Sequence, residues 1–483
     1  MTRVTLYTNA PALAGDMAEV LRLFLGNIEL SVNADNGGWA LTHTEAEDAG
    51  VRRVTVTDGQ NAYETAEALT GDAVVDKRLR RRQAKLGVYQ LLKARTGVTP
   101  PWGSLTGIRP TRLLYANLES GLAMDAACAE LRRVFDVSEE KTALLREIVG
   151  VQQGLSAPAA READIYIGIP FCTTRCAYCS FLSGEVGKGT LLAPYVEALG
   201  REIAAAQALL AETGLQPRAF YMGGGTPTAL PAPLLRRVLT DAEPLLRACR
   251  EITVEAGRPD TIDEEKLAVL RDFGVERISV NPQTAHDATL ERIGRRHTVA
   301  QTEEAFHLAR RMGFRHINMD LIAGLPGEDL PMFRQTLDWL RRLAPESMTV
   351  HTLSIKRSSL LHLWQAQLPE GEMVADMVRL GGQYAREMGM RPYYLYRQKY
   401  MAGNQENVGY ALPGLECLYN VDMMEETASV LALGAGAASK RLFHQKGFIR
   451  RAFNVSDICQ YIDRVDEMAQ RKRALFLGDG ERS

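Results

Sequence analysis

The chain has 483 residues, 46% of them hydrophobic, and its 57 Lys and Arg nearly balance 59 Asp and Glu for a formal net charge of −2. That length can bury a large core and predicts more than one domain, and the near-neutral balance gives no global pull toward nucleic acid or a membrane surface. Seven cysteines in so long a chain do not form a secreted disulfide framework, Met1–Tyr7 leads into a strand rather than a signal peptide, and no apolar run approaches the ~18 residues of a membrane span; a cytoplasmic protein is expected.

Residues 1–155 read as an α+β domain. Strand-like runs at Val4–Tyr7 and Val51–Thr57 precede a long helix near 74–95 that carries Lys77, Arg78, Arg80, Arg81, Arg82 and Lys85. With Val75, Leu79, Leu86, Tyr89 and Leu92 turned inward, this is the pattern of an amphipathic helix with a solvated basic face; an RNA-binding face is the alternative. The stretch Pro101-Trp-Gly-Ser-Leu-Thr-Gly-Ile-Arg-Pro-Thr-Arg112 is turn-rich and reads either as a structural turn or as a segment that docks or anchors an anion. Gly154–Ala163 reads as a linker.

Across 160–360, six β-rich runs (164–169, 218–222, 251–256, 276–281, 315–323 and 347–353) alternate with helical-period segments near 192–212, 232–249, 263–273, 299–312 and 329–343. This alternation predicts a parallel sheet with right-handed crossovers. Six such units make a partial (β/α)6 barrel, open on one side, whose chemistry sits at the C-terminal ends of the strands. Residues 361–483 mix helices (370–388, 455–473) with strand-like segments (391–401, 428–434, 446–454), an α+β extension.

The most informative motif follows the first of those strands. Cys172, Cys176 and Cys179 stand at CxxxCxxC spacing. Three thiolates that close together can hold three corners of a cubane iron–sulfur cluster, and a fourth would complete a plain electron carrier. No fourth cysteine stands where a compact loop would supply it, so an iron open to a ligand is expected. A zinc site or buried thiols are the alternatives; zinc usually takes four ligands from two CxxC-like pairs, and no second pair is present. Cys128, Cys249, Cys417 and Cys459 are scattered and read as small buried hydrophobes. Other candidates fall at strand ends. Gly223, Gly224 and Gly225 lead into Thr226 and Pro227, and their missing Cβ atoms let a ligand approach the backbone. Glu255 ends the third strand, Gln283 the fourth (with Arg295 beyond it), and Asp320 lies on the fifth.

Ile169-Pro-Phe-Cys…Cys-Ala-Tyr-Cys179, Gly223-Gly-Gly-Thr-Pro-Thr228 and Asp320-Leu-Ile-Ala-Gly-Leu-Pro326 together resemble the oxygen-independent coproporphyrinogen III oxidase family of radical S-adenosylmethionine (SAM) enzymes. The Pro-Trp-Gly stretch and Ala402-Gly-Asn-Gln-Glu-Asn-Val-Gly-Tyr410 resemble its branch called coproporphyrinogen dehydrogenase HemZ. The resemblance implies a radical SAM partial barrel with a [4Fe–4S] cluster on Cys172, Cys176 and Cys179, and SAM chelating the open iron. It implies SAM contacts from Tyr166, Tyr178, Gly224, Gly225, Thr226, Glu255, Gln283, Arg295 (or its neighbour Arg296) and Asp320, with the two tyrosines packing on the adenine and excluding water. It implies a tetrapyrrole substrate and a low-potential electron donor of the flavodoxin or ferredoxin type. A deoxyadenosyl radical takes hydrogen from the β-carbon of a propionate, carbon dioxide and an electron leave, and two such rounds turn coproporphyrinogen III into protoporphyrinogen IX. Arg258, Arg295, Arg296, Lys356 and Arg357 are candidates to hold the substrate carboxylates, since guanidinium binds carboxylate bidentately. One departure is specific: family oxidases carry a further cysteine two residues after the third, where this chain has Phe181, as a haem-chaperone branch does. The chaperones' His-Asn-x-x-Tyr-Trp motif is in turn missing at Gly403–Tyr410. Haem binding and delivery, or another radical SAM reaction on a tetrapyrrole, are therefore the alternative functions.

Overall fold

The computed structural model describes residues 2–107, 109–155, 157–179, 184–354, 359, 361, 369–398, 401–443 and 448–478. It divides into two compact units, Met1–Arg146 and Glu147–Ser483.

In the first unit β1 (Thr2–Thr8) runs parallel to β2 (Ile28–Val32) on one side and β3 (Trp39–Asp48) on the other, and β4 (Val51–Thr57) and β5 (Ala62–Ala68) continue as an antiparallel meander. Two helices, α1 (Ala14–Leu25) and α2 (Ala73–Thr96), close a core that includes Leu6, Met17, Leu21, Val56, Tyr89 and Leu92. Asp72 caps α2 by accepting from the Val74 and Val75 amides, which satisfies donors left open at a helix start. The basic face of α2 is matched by carboxylates of the same unit: Arg80 pairs with Glu45, Arg81 with Asp16, Arg82 with Glu67 and Lys85 with Glu19. Of the six cations Lys77, Arg78 and Arg81 are exposed, and four of the six are in ion pairs within the unit. In the turn-rich stretch that follows, Trp102 is fully buried, and Ser104 reaches the Phe135 carbonyl with its amide and its hydroxyl at 2.8 and 3.2 Å. Trp102–Leu105 is a packed structural turn against the end of α4 (Met124–Phe135), which follows α3 (Thr111–Glu119).

α5 (Glu139–Gln153) leads to the second unit, where the six expected parallel strands are present: β6 (Glu162–Ile169), β9 (Gln216–Gly224), β10 (Glu251–Gly257), β11 (Arg277–Val280), β12 (His316–Ala323) and β13 (Ser347–Thr352). All five junctions between them are parallel. A small ribbon, β7 (Phe171–Cys172) and β8 (Gly184–Glu185), interrupts the count after β6. The crossovers carry α6 (Leu192–Thr213), α7 (Ala232–Ala248), α8 (Glu264–Asp272), α9 (Asp287–Arg292), α10 (Val299–Arg311) and α11 (Leu330–Leu343). Strand and helix bounds fall within two residues of the sequence expectation for the six runs and the five long helices.

The C-terminal residues extend this sheet at both edges. After α12 (Gly371–Glu387), β14 (Arg391–Tyr396) and β15 (Asn407–Ala411) add antiparallel beyond β13. Beyond β6, β16 (Ser429–Leu433) joins in parallel, followed by the antiparallel β17 (Ala438–Phe443) and β18 (Phe448–Phe453). The result is an open eleven-stranded sheet. Between the two edges α13 (Leu418–Glu425) places Tyr419 on the sheet's tyrosines: its ring stacks on Tyr221 at 4.4 Å and Tyr166 at 6.1 Å. The helix expected over 455–473 is two, α14 (Ile458–Asp463) and α15 (Val465–Leu477), broken at Arg464. α15 is clasped to α6 through the buried Glu202, which accepts from Lys472, from the Tyr461 hydroxyl at 2.6 Å and from the Gly434 amide at 2.7 Å. Among the described residues no helix is long and apolar enough to cross a membrane.

Candidate functional site

The sheet topology brings the loops after β6, β9, β10 and β11 to one end. There the cysteine loop is bound from two sides. Arg258, just past β10 and 3% exposed, grips Asp260 with Nε and Nη2 at 2.9 and 3.0 Å and gives Nη1 to the Thr174 carbonyl and hydroxyl at 3.1 and 2.8 Å. The same Nη1 lies 3.9 Å from Cys176 Sγ. Thr173 adds a hydrogen bond to Asp260 at 3.0 Å. From the other side the Ile293 carbonyl accepts from the Ala177 amide at 2.9 Å, and the Gly294 carbonyl accepts from the Thr174 hydroxyl at 3.2 Å. Cys176 is buried, while Cys172 and Cys179 are half-buried. Cys172 Sγ is 3.6 Å from the Thr226 hydroxyl.

The triple glycine divides its work. A Cβ on Gly225 would come within 2.6 Å of the Phe171 carbonyl oxygen, so this position must be bare for β9 to run against the start of the cysteine loop. The pairing continues with Gly225 N to Ile169 O at 2.8 Å and Thr226 N to Phe171 O at 2.7 Å. At Gly223 the same test meets Glu255 Oε2 at 2.9 Å. Glu255 accepts the phenol proton of Tyr221. Burial pushes its carboxyl up to about 7, with Asp320 adding to the rise and the Tyr221 hydrogen bond opposing it.

Asp320 behaves differently. Burial raises it, yet His351, 3.5 Å away, and Asn318, donating at 2.8 Å, hold it below the usual carboxylate range. His351 in turn meets the Tyr396 hydroxyl at 3.4 Å. Gln283 is buried with φ +70 and is locked there by its amide on the Asp320 carbonyl and its own carbonyl on the Ile322 amide, both at 3.0 Å. A non-glycine residue in the left-handed region costs about 1 kcal/mol or more and persists where the surroundings over-determine it.

Of the residues singled out in the sequence, the structure therefore brings together Cys172 with Thr226, Glu255 with the glycine loop, and Gln283 with Asp320. Tyr178 and Arg295 form a further pair: Arg295 donates to the Tyr178 hydroxyl at 3.1 Å and to the Asn281 carbonyl at 2.8 Å. Tyr166 lies in the tyrosine stack, its hydroxyl 3.4 Å from where a Gly224 Cβ would be. Arg258 is committed to Asp260 and the cysteine loop, and Arg296 is exposed. Phe181, Lys356 and Arg357 lie outside the described residues. Tyr221, His351, Tyr396 and Tyr419 escaped sequence reasoning. Tyr221 had a signal, since it is two residues before Gly223 and so shares its face of the strand; His351 had one in its place near the end of the sixth strand.

A parallel sheet with a three-cysteine loop after its first strand, a glycine loop after its second and carboxylates at later strand ends defines a radical SAM protein. The radical SAM superfamily model matches residues 166–340. Over 394 residues the chain is 44% identical to the oxygen-independent coproporphyrinogen-III oxidase-like protein HemZ of Bacillus subtilis, covering 79% of this chain and 78% of that one. It is 30% identical over 313 residues to the heme chaperone HemW of the same organism, covering 62% and 76%. The structure of Escherichia coli coproporphyrinogen III oxidase, HemN, shares the fold with a TM-score of 0.52 at 22% identity, over 66% of this chain and 72% of that one. The chain belongs to the radical SAM, oxygen-independent coproporphyrinogen III oxidase-like family, in its HemZ branch. The cofactors of this family are a [4Fe–4S] cluster and SAM, and the site's donor chemistry fits them. Three thiols share one loop, a hydroxyl and a guanidinium stand beside two of the sulfurs, and the half-buried carboxylates of Glu255 and Asp320 lie on β10 and β12. Among the described residues no three His, Cys, Asp or Glu side chains converge on a single ion; a cubane, whose cysteines each bind a different iron, does not require it.

Proposed function

We propose that this protein catalyses the oxygen-independent oxidative decarboxylation of two propionates of coproporphyrinogen III to vinyls, giving protoporphyrinogen IX. The observation that carries the proposal is the 44% identity to a coproporphyrinogen-III oxidase-like protein across 79% of the chain. Cys172, Cys176 and Cys179 hold the cluster. When bound, the cluster and SAM supply the one-electron chemistry that removes hydrogen from the propionate β-carbon. The chain's own residues bind, orient and exclude water. Arg258 closes the cysteine loop and places positive charge 3.9 Å from Cys176 Sγ. Glu255 and Asp320 offer acceptor oxygens to the ammonium and ribose groups of SAM, with Gly224, Gly225, Thr226, Gln283 and Arg295 around it. Tyr166 and Tyr178 wall the site with rings. Arg296 is the exposed cation among the described candidates for a substrate carboxylate. A low-potential donor of the flavodoxin or ferredoxin type would supply the electron to a bound cluster, and the expected compartment is the cytoplasm.

The test is mass spectrometry of the tetrapyrrole after anaerobic incubation of reconstituted protein with SAM, a low-potential reductant and coproporphyrinogen III. Loss of two carboxyl groups as vinyls supports the proposal; unchanged substrate counts against it. Haem delivery is the second reading, favoured by the 30% identity to HemW. Tight, stoichiometric haem binding without SAM turnover would select it.

A further inference from the structure

Tyr221 and Glu255 sit on neighbouring strands, β9 and β10, whose register pairs Tyr221 with Thr253 and Met222 with Val254. Their side chains meet just before the triple glycine. One carboxylate oxygen of Glu255, Oε1, accepts the Tyr221 phenol proton. The other, Oε2, occupies the space that a Cβ on Gly223 would fill, at 2.9 Å. The phenol is itself fixed, because the Tyr221 ring stacks on Tyr419 at 4.4 Å and on Tyr166 at 6.4 Å.

We propose that Tyr221 is a positioning residue for SAM: it pins one oxygen of Glu255 so that the second is presented over the bare backbone of Gly223 as an ionised acceptor for the ligand's ammonium or ribose hydroxyl. The inference rests on SAM occupying these strand ends, as proposed above. Its physical basis is a contest over one proton. Burial and the nearby Asp320 favour the neutral carboxyl, while the phenol donates to the charged form and so favours ionisation. His351 also favours the ionised form, and it faces Asp320 from β13. The hydroxyls of Tyr166, Tyr396 and Tyr419 are the other titratable groups that feel this charge. The contest leaves Glu255 at about 7, so near neutrality its two protonation states are both populated. Only the ionised one offers two acceptor oxygens. Without the phenol the balance moves toward the neutral acid.

The experiment is anaerobic titration calorimetry of SAM into the cluster-reconstituted full chain between pH 6 and 9, for the wild type, Tyr221→Phe and Glu255→Gln. Glu255→Gln carries whatever titration belongs to SAM itself and is the reference. Relative to it, wild-type affinity is expected to rise with pH about a midpoint near 7. Tyr221→Phe keeps the ring stack but is expected to move that midpoint up by about one unit, roughly a five- to tenfold loss of affinity at pH 7 that closes by pH 9. Equal loss at every pH would mark Tyr221 as merely structural and overturn the inference, as would an unchanged profile. Wild-type protein that keeps its cluster absorbance but binds no SAM would overturn the underlying function as well. Should Tyr221→Phe fail to fold, Gly223→Ala reads the same arrangement from the other oxygen: it is expected to weaken SAM at all pH values with cluster absorbance intact, and unchanged affinity would contradict the inference.

Discussion

Arg258 stands 3.9 Å from Cys176 Sγ while its remaining nitrogens hold Asp260 at 2.9 and 3.0 Å. One guanidinium thus closes the cysteine loop and supplies the positive charge beside its most buried sulfur. The geometry is a fork, which a lysine cannot reproduce. Arg258→Met is expected to leave Asp260 with the Thr173 hydroxyl but no guanidinium, to destabilise the loop by about 1–3 kcal/mol, and to lower iron and sulfide content per chain after reconstitution at least twofold. Arg258→Lys should fall between. Full cluster loading in Arg258→Met would show that the loop does not depend on this clamp.

Cys176→Ala is expected to abolish the cluster, seen as loss of the broad visible absorbance and of stoichiometric iron after reconstitution. Cys459→Ala is the control, since Cys459 is exposed on α14. Equal iron in both variants would refute the three-cysteine site.

The clasp between α15 and α6 is a buried ion pair, with Lys472 and Glu202 side chains 3% and 0% exposed. Removing one partner strands the other, a loss of about 3–5 kcal/mol. Lys472→Met is therefore expected to unfold at markedly lower urea, and adding Glu202→Gln should recover part of the loss. A Lys472→Met variant as stable as the wild type would show that the Gly434 amide, the Tyr461 hydroxyl and the Asn454 side-chain amide, which donates to Glu202 at 2.8 Å, satisfy Glu202 without the lysine.

Glu255 also links stability to pH. Its folded value, about 7, lies above an unfolded glutamate. Between those two values the folded state holds the proton that the unfolded state has lost, so its contribution is fully present below the unfolded value and is lost as pH rises through 7. Glu255→Gln, free of that proton, should be more stable than the wild type by about 3 kcal/mol at pH 8 and nearly equal to it at pH 4.5. Chemical denaturation of cluster-free protein at the two pH values measures this. An equal difference at both would mean that Glu255 does not titrate in the folded state.

The six parallel strands were legible because each carries a short buried segment with apolar or β-branched residues, set off by helical periodicity on either side. β3 and β5 were not. Each has a solvent-facing side carrying charges such as Glu47 and Glu64, which weakens the contrast that marks a strand. β15, Asn407–Ala411, is wholly buried, yet it contains Asn and Gly and its identity as a strand comes only from pairing with β13 and β14. At the site, residue types and strand-end positions showed the cysteines, the glycines, Glu255, Gln283 and Asp320. The contacts between strands were hidden: that Tyr221 meets Glu255, that His351 meets Asp320, and that Arg258 serves Asp260 rather than standing free all depend on register, which a single sequence does not state. The basic run on α2 looked like a charged surface because its partners Glu45, Glu67 and Glu19 come from other elements.

The most direct test of the account counts products in one anaerobic reaction of reconstituted protein, SAM, a low-potential reductant and coproporphyrinogen III. The account predicts protoporphyrinogen IX, with two 5′-deoxyadenosines formed for each coproporphyrinogen consumed. Deoxyadenosine released while coproporphyrinogen stays intact would contradict the assigned substrate, and an intact cluster that yields neither product would contradict the assigned enzyme.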